Sequence, residues 1–216
     1  MTLHTKYAPL AKNRTMMIRE RRGCAQLFFI YAGTMGLLGM RGGRFLLSAG
    51  LIDRNLAMIR DPNPGGLFQG TNEDIDDLID WHSECRDAFS HASYVHCVGD
   101  SMGGYDSLMF GYLIKADIAW AFSFDAGGAF DSGAMGLLHE LLSEGNGGTE
   151  YRIYFSVDND VDRKNAELLE SCPGVVLYPI TGVDKEYSHG IMSWLSETGQ
   201  LSSVFPAFEP SVQPSP

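Results

Sequence analysis

The chain has 216 residues, of which 44% are hydrophobic, enough to bury one sizeable core. Its formal net charge of −11 and pI near 4.8 argue against nucleic acid or an anionic membrane as a partner, because both are polyanions. The longest apolar run near the N-terminus, residues 27–32, is too short to span a bilayer. We therefore expect no membrane partner, one domain over residues 1–199, a proline-rich tail over 200–216 and a cytoplasmic location.

The four cysteines show no metal-binding pattern. Successive cysteines lie 61, 12 and 75 residues apart, so the chain has no Cys-x-x-Cys pair. We expect Cys24, Cys85, Cys97 and Cys172 to be small, buried, apolar residues in a reducing compartment. Neither a metal nor a cofactor is expected.

The apolar pattern predicts strands and helices in alternation along the chain. Residues 1–14 show no period and are expected to form a loose arm, and residues 15–20 a possible edge strand. The continuous apolar run 25–31 is typical of a strand covered on both faces. The clearest helix covers 71–89, where apolar residues recur at intervals of three and four. The other predicted elements are a connecting segment at 45–47, strands at 56–60, 94–98, 118–124, 151–157 and 175–179, and helices at 105–113, 134–143, 162–169 and 190–196.

This alternation predicts an α/β fold, a mostly parallel sheet with helices on both faces. In such sheets the functional residues collect at the carboxyl ends of the strands. Polar residues and glycines directly after the predicted strands are therefore the candidates for a site. They are Gly33, Thr34, Ser101, Asp125, Asp158, Asp160, Asp162 and His189.

One stretch carries the strongest functional signal, the sequence Gly-Asp-Ser-Met-Gly at positions 99–103. Strand-like residues precede it and a helix-compatible segment follows, which is the layout of a nucleophile elbow. A Cβ at either Gly99 or Gly103 would collide with the neighbouring strand or helix, and the turn exposes the Ser101 hydroxyl. The turn also puts the Met102 N–H at the positive end of a helix, where it favours a developing oxyanion.

These features resemble the α/β-hydrolase superfamily over roughly residues 25–197. The elbow, an acid after the second strand beyond it and a histidine after the last strand follow the order of that superfamily's catalytic triad. The resemblance implies an α/β-hydrolase fold. It also implies a small or absent cap, because the segment between Asp125 and Ala134, where a cap is usually inserted, is short and glycine-rich.

Each member of such a triad has a chemical reason. Serine needs a neutral imidazole to take its proton, and a carboxylate must hold that imidazole in one tautomer. Of the six histidines, only His189 lies in a loop at the predicted catalytic edge. The resemblance favours Asp160 as the acid, with Asp158 second and Asp125 as a rival one strand earlier. Asp162 is expected to cap the helix that starts there.

The resemblance also implies an oxyanion hole and an activity. One N–H would come from Met102, and the other from Thr34 or, alternatively, from Met35. The expected activity is that of a serine hydrolase that cleaves a carboxylic ester or thioester through an acyl-enzyme. An acyltransferase would use the same triad, and a non-catalytic binding protein is the third hypothesis. The expected partner is a small-molecule, carrier-linked or polymer-linked acyl substrate.

Overall fold

The computed structural model of the chain describes residues 5–9, 15–33, 38–60, 72–124, 132–145 and 147–207. Within these residues the strands are β1 Thr5–Pro9, β2 Thr15–Arg19, β3 Gln26–Tyr31, β4 Asn55–Arg60, β5 Tyr94–Asp100, β6 Ile118–Phe122, β7 Glu150–Ser156 and β8 Val175–Ile180. The helices are α1 Gly42–Ser48, α2 Asn72–Ala88, α3 Met102–Leu113, α4 Ser132–Glu144, α5 Asp160–Leu168 and α6 Ile191–Glu197. Short 3-10 helices cover Lys185–Tyr187 and Leu201–Ser203.

The described strands form one sheet in the order β1-β2-β4-β3-β5-β6-β7-β8. The pairings of β2 with β1 and with β4 are antiparallel, and all the others are parallel. The predicted mostly parallel sheet is therefore confirmed. Because β3, β5 and β6 lie at its centre, the turn after β5 is surrounded by strand ends on both sides.

Two apolar clusters cover the two faces of the sheet. The larger one packs β3, β5, β6 and β7 against α2, α3, α4 and α5, with Trp81, Phe110 and Leu138 among its buried members. The second packs the opposite face against α1 and α6, with Phe45 and Leu195 in its interior. The helices therefore lie on both faces, as predicted.

Three expectations about local structure were wrong. The arm expected at 1–14 contains β1, which pairs with β2, and residues 45–47 lie in α1 rather than in a connecting segment. The edge strand expected at 15–20 is not at an edge, because β2 lies between β1 and β4. Within the expected proline-rich tail, Leu201 and Phe205 are buried in the second cluster. Non-local strand pairing and packing give these segments their structure. Such contacts produce no recognisable hydrophobic period in a sequence segment this short. Residues 208–216 lie outside the described part of the chain.

One of the two edges of the sheet is β8, which pairs with β7 alone among the described strands. The carbonyl oxygen of Ile180 accepts the N–H of Val157, just beyond β7. Because neighbouring residues of a strand direct their backbone groups to opposite sides, the backbone of Pro179 faces away from β7.

The cysteines are buried and form no disulfide in the described residues, in keeping with their predicted role as small apolar side chains. No helix in this part of the chain combines the length and the apolar character needed to cross a membrane. Nor do the described histidine, cysteine and acidic side chains form a group of three or more that would hold a metal ion.

Helix α3 packs directly onto the backbone of the sheet, and two glycines make this possible. A Cβ on Gly99 would lie 1.7 Å from the carbonyl oxygen of Gly103, and one on Gly103 would lie 2.3 Å from that of Tyr31. Both distances are far below any real contact, and the opposing atoms belong to backbone that cannot move aside. The sequence-based expectation of a collision at both glycines is therefore confirmed.

We expect Gly99→Ala to lower the free energy of unfolding by more than about 3 kcal/mol, because its Cβ would force α3 away from β5. Chemical denaturation measures this loss. The matched control is Gly136→Ala in α4, where a Cβ meets nothing within 4 Å. Alanine there should stabilise the helix by about 0.5–1 kcal/mol. Equal stability of the two variants would contradict the packing described for the elbow.

Candidate active site

Ser101 lies at the sharp turn between β5 and α3 in a strained backbone conformation. Its φ of 56° and ψ of −122° are rare for a residue with a side chain and cost on the order of 1–3 kcal/mol. Two backbone hydrogen bonds hold the turn: the Ser101 N–H donates to Phe122 O at 2.8 Å, and the Gly104 N–H donates to Ser101 O at 2.9 Å. The turn presents the Ser101 hydroxyl to the loop before α6.

His189 lies in that loop and contacts both the serine and a carboxylate. Its Nε2 is 3.0 Å from Ser101 Oγ, and its Nδ1 is 2.8 Å from Oδ1 and 3.1 Å from Oδ2 of Asp162. A carboxylate can only accept hydrogen bonds, so the proton between Asp162 and His189 belongs to Nδ1 of the imidazole. In a neutral ring Nε2 is then unprotonated, and its lone pair faces the Ser101 hydroxyl. This is the tautomer that a general base requires.

The carboxylate beside His189 belongs to Asp162 and not to Asp160, which the sequence favoured. The side chain of Asp162 is fully buried, whereas that of Asp160 is 75% exposed and forms an ion pair with Arg163. Asp158, the second choice, is also exposed. The structure therefore brings two of the three expected triad residues together and replaces the third.

The start of α5 explains why Asp162 rather than Asp160 contacts His189. The cap of this helix is Asn159, and Asp162 does not cap it. With the helix beginning at Asp160, the two aspartates are two positions apart and differ by about 200° around the helix axis. One of them consequently faces solvent, and the other faces the sheet and the loop of His189.

The oxyanion-hole expectation falls partly outside the described residues. Met102 is the first residue of α3, as expected from the elbow, and its side chain is buried. The second expected donor, Thr34 or Met35, and the rival acid Asp125 lie outside the residues that the structure describes. The strand end before Thr34 is close to the elbow, because Tyr31 contacts the position of Gly103.

Two other histidines are buried inside the fold. His82 Nε2 lies 2.7 Å from the hydroxyl oxygen of Tyr31, and His96 packs between Phe28 and Trp120. Burial lowers the pKa of His82 to about 4 and that of His96 to about 3. Both rings are therefore neutral at physiological pH, and both pack inside the fold and away from the loop of His189.

Asp100, directly before the serine, is a site residue that the sequence reasoning did not single out. Its carboxyl is buried, and its Oδ1 makes no hydrogen bond within the described part of the chain. Burial raises the pKa of Asp100 to about 7; charge on His189 lowers it and the charge of Asp162 raises it. The site thus has a second carboxyl that exchanges its proton near neutral pH. The only signal in the sequence was its place beside the serine.

Besides the charged His189 and Asp162, uncharged groups on two other segments lie close to Asp100. A Cβ on Gly39, in the segment before α1, would lie 2.9 Å from Asp100 Oδ2 and 3.0 Å from Ser193 Oγ of α6. Gly39 has a positive φ of 64°, and its carbonyl oxygen accepts the Ser193 hydroxyl at 2.8 Å. Only a glycine fits between these two side chains, so the segment before α1 is held against the site.

No protein-family model and no curated protein matches this sequence. Solved structures do match. Est1E from Butyrivibrio proteoclasticus superposes with a TM-score of 0.62 at 10% identity, over 93% of this chain and 97% of that one. An alpha-beta serine hydrolase homologue from Coxiella burnetii has a TM-score of 0.58 at 15% identity, over 93% and 97%.

Carboxyl esterase 2 from the mycorrhizal fungus Tuber melanosporum matches with a TM-score of 0.57 at 11% identity, over 94% of this chain and 87% of that one. Identities this low bear on the fold and not on the reaction. The matches span almost the whole chain. The chain has the α/β-hydrolase fold.

Proposed function

We propose that this protein is a serine hydrolase that cleaves a carboxylic ester or thioester. In this proposal Ser101 is the nucleophile, His189 the general base and Asp162 the acid that orients the imidazole. The observation that carries it is the unbroken contact from the Ser101 hydroxyl through both ring nitrogens of His189 to a buried carboxylate. A histidine with a purely structural role would not require a contact with a serine in a strained backbone conformation.

The proposed reaction has two halves. Ser101 Oγ attacks the substrate carbonyl carbon while its proton moves to Nε2 of His189, and the imidazolium then gives this proton to the departing alcohol or thiol. Water attacks the acyl-enzyme in the same way and returns the serine. Asp162 stabilises the imidazolium in both halves without taking the proton itself.

Charge that develops on the carbonyl oxygen needs donors that are already in place. Met102 begins α3, and the N–H groups of a first helical turn lie at the positive end of the helix dipole. We propose its backbone N–H as one oxyanion donor. Thr34 or Met35 remains the proposed source of the second.

The surroundings of the site favour an open entrance. Nine residues, 123–131, separate β6 from α4, which leaves no room for a cap domain between them. The side chain of His189 is 44% exposed. These features support an acyl substrate that is either small or attached to a carrier or polymer. A panel of esters and thioesters of graded chain length, with and without added alcohol or amine acceptors, separates hydrolysis from acyl transfer.

We expect a fluorophosphonate probe to label the wild-type protein covalently, because it captures an activated serine without requiring knowledge of the substrate. Ser101→Ala should abolish the labelling and leave thermal unfolding nearly unchanged, since the contact that its hydroxyl makes with His189 is exposed. Mass spectrometry of the labelled peptide identifies the residue. The control, Ser83→Ala on the exposed side of α2, should label like wild type. Labelling that persists in Ser101→Ala excludes the serine as the nucleophile.

We expect Asp162→Asn to reduce kcat on the best ester by about 10⁴-fold, because an amide holds the imidazole in the wrong tautomer and cannot stabilise its cation. Asp160→Asn removes the same charge two residues away, where the carboxylate faces solvent, and should keep turnover within a few-fold of wild type. Steady-state kinetics of the two variants decide between them. The reverse ranking would return the role to Asp160.

We expect the labelling rate to rise with pH as His189 loses its proton, because only the neutral imidazole can accept the proton of the serine. An ionised Asp100 would attract the proton on His189 and delay this rise. Asp100→Asn should therefore move the rise to lower pH. Labelling rates measured from pH 5 to 9 test this, and coincident profiles for the variant and wild type would exclude any effect of Asp100 on His189.

The free energy of unfolding of the wild type and Asp100→Asn, measured as a function of pH, provides an independent check. The pKa of Asp100 is raised to about 7 in the folded protein from 3.8 in a free side chain. Between these values the unfolded chain releases a proton that the folded chain keeps. The stability that Asp100 contributes is therefore present at low pH and lost as pH rises, by up to about 4 kcal/mol. Asp100→Asn should lack this loss.

A further inference from the structure

We propose that Asn159 is a positioning residue that fixes the acid and the base of the site relative to each other through the two ends of its side-chain amide. One end is bonded to the backbone of Asp162 and the other to the backbone next to His189. The kinetic consequence rests on the proposed function, whereas the structural consequence for the histidine ring does not.

The oxygen end of the amide sets where α5 begins. Asn159 Oδ1 accepts the N–H of Val161 at 3.0 Å and that of Asp162 at 3.2 Å, the two donors that a helix cap normally satisfies. The second of these bonds goes to the residue whose carboxylate contacts His189. The cap therefore decides which aspartate of the run 158–162 faces the histidine.

The nitrogen end of the same amide contacts the loop that carries the base. Asn159 Nδ2 donates to the carbonyl oxygen of Ser188 at 3.3 Å, and His189 is the next residue. The loop is held on its other side by Ser123, whose Oγ accepts the N–H of Ile191 at 3.0 Å. The histidine thus lies between two side-chain contacts to its backbone neighbours.

The orientation of the amide follows from these partners. Two backbone N–H groups face Oδ1, and the carbonyl oxygen of Ser188 faces Nδ2. If the amide were flipped, its NH₂ group would face the two N–H donors and its oxygen would face the carbonyl oxygen. Aspartate caps a helix but has no donor, and the single hydroxyl oxygen of serine or threonine cannot occupy the positions of both Oδ1 and Nδ2 of the amide. Among the residues that cap well, only asparagine serves both ends at this position.

The base has more need of this restraint than the acid. Asp162 is fully buried, whereas the side chain of His189 is 44% exposed. Its ring depends on the loop backbone for its position relative to Ser101. A displacement of about 1 Å between reacting groups is enough to cost on the order of 10²-fold in rate.

Two substitutions separate the ends of the amide. Asn159→Ser keeps a capping oxygen and removes the amide Nδ2 that donates to Ser188. Asn159→Asp keeps the capping oxygen and adds a negative charge, which is favourable at a helix N-terminus. It also places a carboxylate oxygen, an acceptor, next to the carbonyl oxygen of Ser188. The matched control is Asn165→Ser, also on α5. It removes an amide Nδ2 that donates to Phe124 O at 3.4 Å, just beyond β6.

The test combines fluorophosphonate labelling rates with NMR of the histidine ring nitrogens, in which His189→Ala identifies the His189 signals. We expect both Asn159 variants to keep the wild-type thermal midpoint and to label about tenfold to a hundredfold more slowly. The His189 ring should lose its single Nδ1–H tautomer. Asn165→Ser should match wild type in both measurements.

The outcomes are distinguishable from failure of the proposed function. If the wild type is not labelled, the function is wrong, and the NMR of Asn159→Ser still decides whether this residue orients the ring. Wild-type labelling and ring signals in Asn159→Ser would overturn the proposal. An equal loss in Asn165→Ser would also overturn it, because the effect would then belong to α5 as a whole. If Asn159→Ser fails to fold, Asn159→Asp, with its stronger cap, decides.

Discussion

The close approach of α3 to the central strands is the constraint on which the rest of the site depends. The backbone of Ser101 is in an unfavourable conformation, and the turn would relax if the helix could move. Ten residues of α3 are buried against the sheet and α4, so moving it would expose most of its surface. The strain of one residue is therefore small beside the apolar burial that opposes its release.

Two buried carboxyls near this turn differ because their partners differ. Asp162 is fully buried but contacts the imidazole of His189, which favours its charged form. Asp100 has comparable burial, and the lack of a partner for its Oδ1 among the described residues leaves desolvation as the dominant influence. A single site thus contains one carboxylate suited to stabilise a cation and one carboxyl that is largely neutral below pH 7.

Much of the fold and part of the site were predictable from sequence, for identifiable reasons. Long apolar runs such as β3 and the glycines around Ser101 encode local geometry, and His189 followed from its place after the last strand. Asp160 and Asp162 could not be told apart, because an error of one or two residues in a helix start exchanges the faces on which they lie. Asn159 decides where the helix begins. Its role becomes clear only from the structure, in which its side chain also contacts the loop of His189.

The backbone of Pro179 at the free edge of β8 has a consequence for the behaviour of the protein at high concentration. An outer strand normally presents a row of N–H and C=O groups on which a strand of another molecule could assemble. Proline has no N–H, and at this position the missing donor is one that faces outward. A second molecule would meet a missing donor near the end of the six-residue strand, which discourages the edge-to-edge pairing that an exposed edge strand otherwise permits.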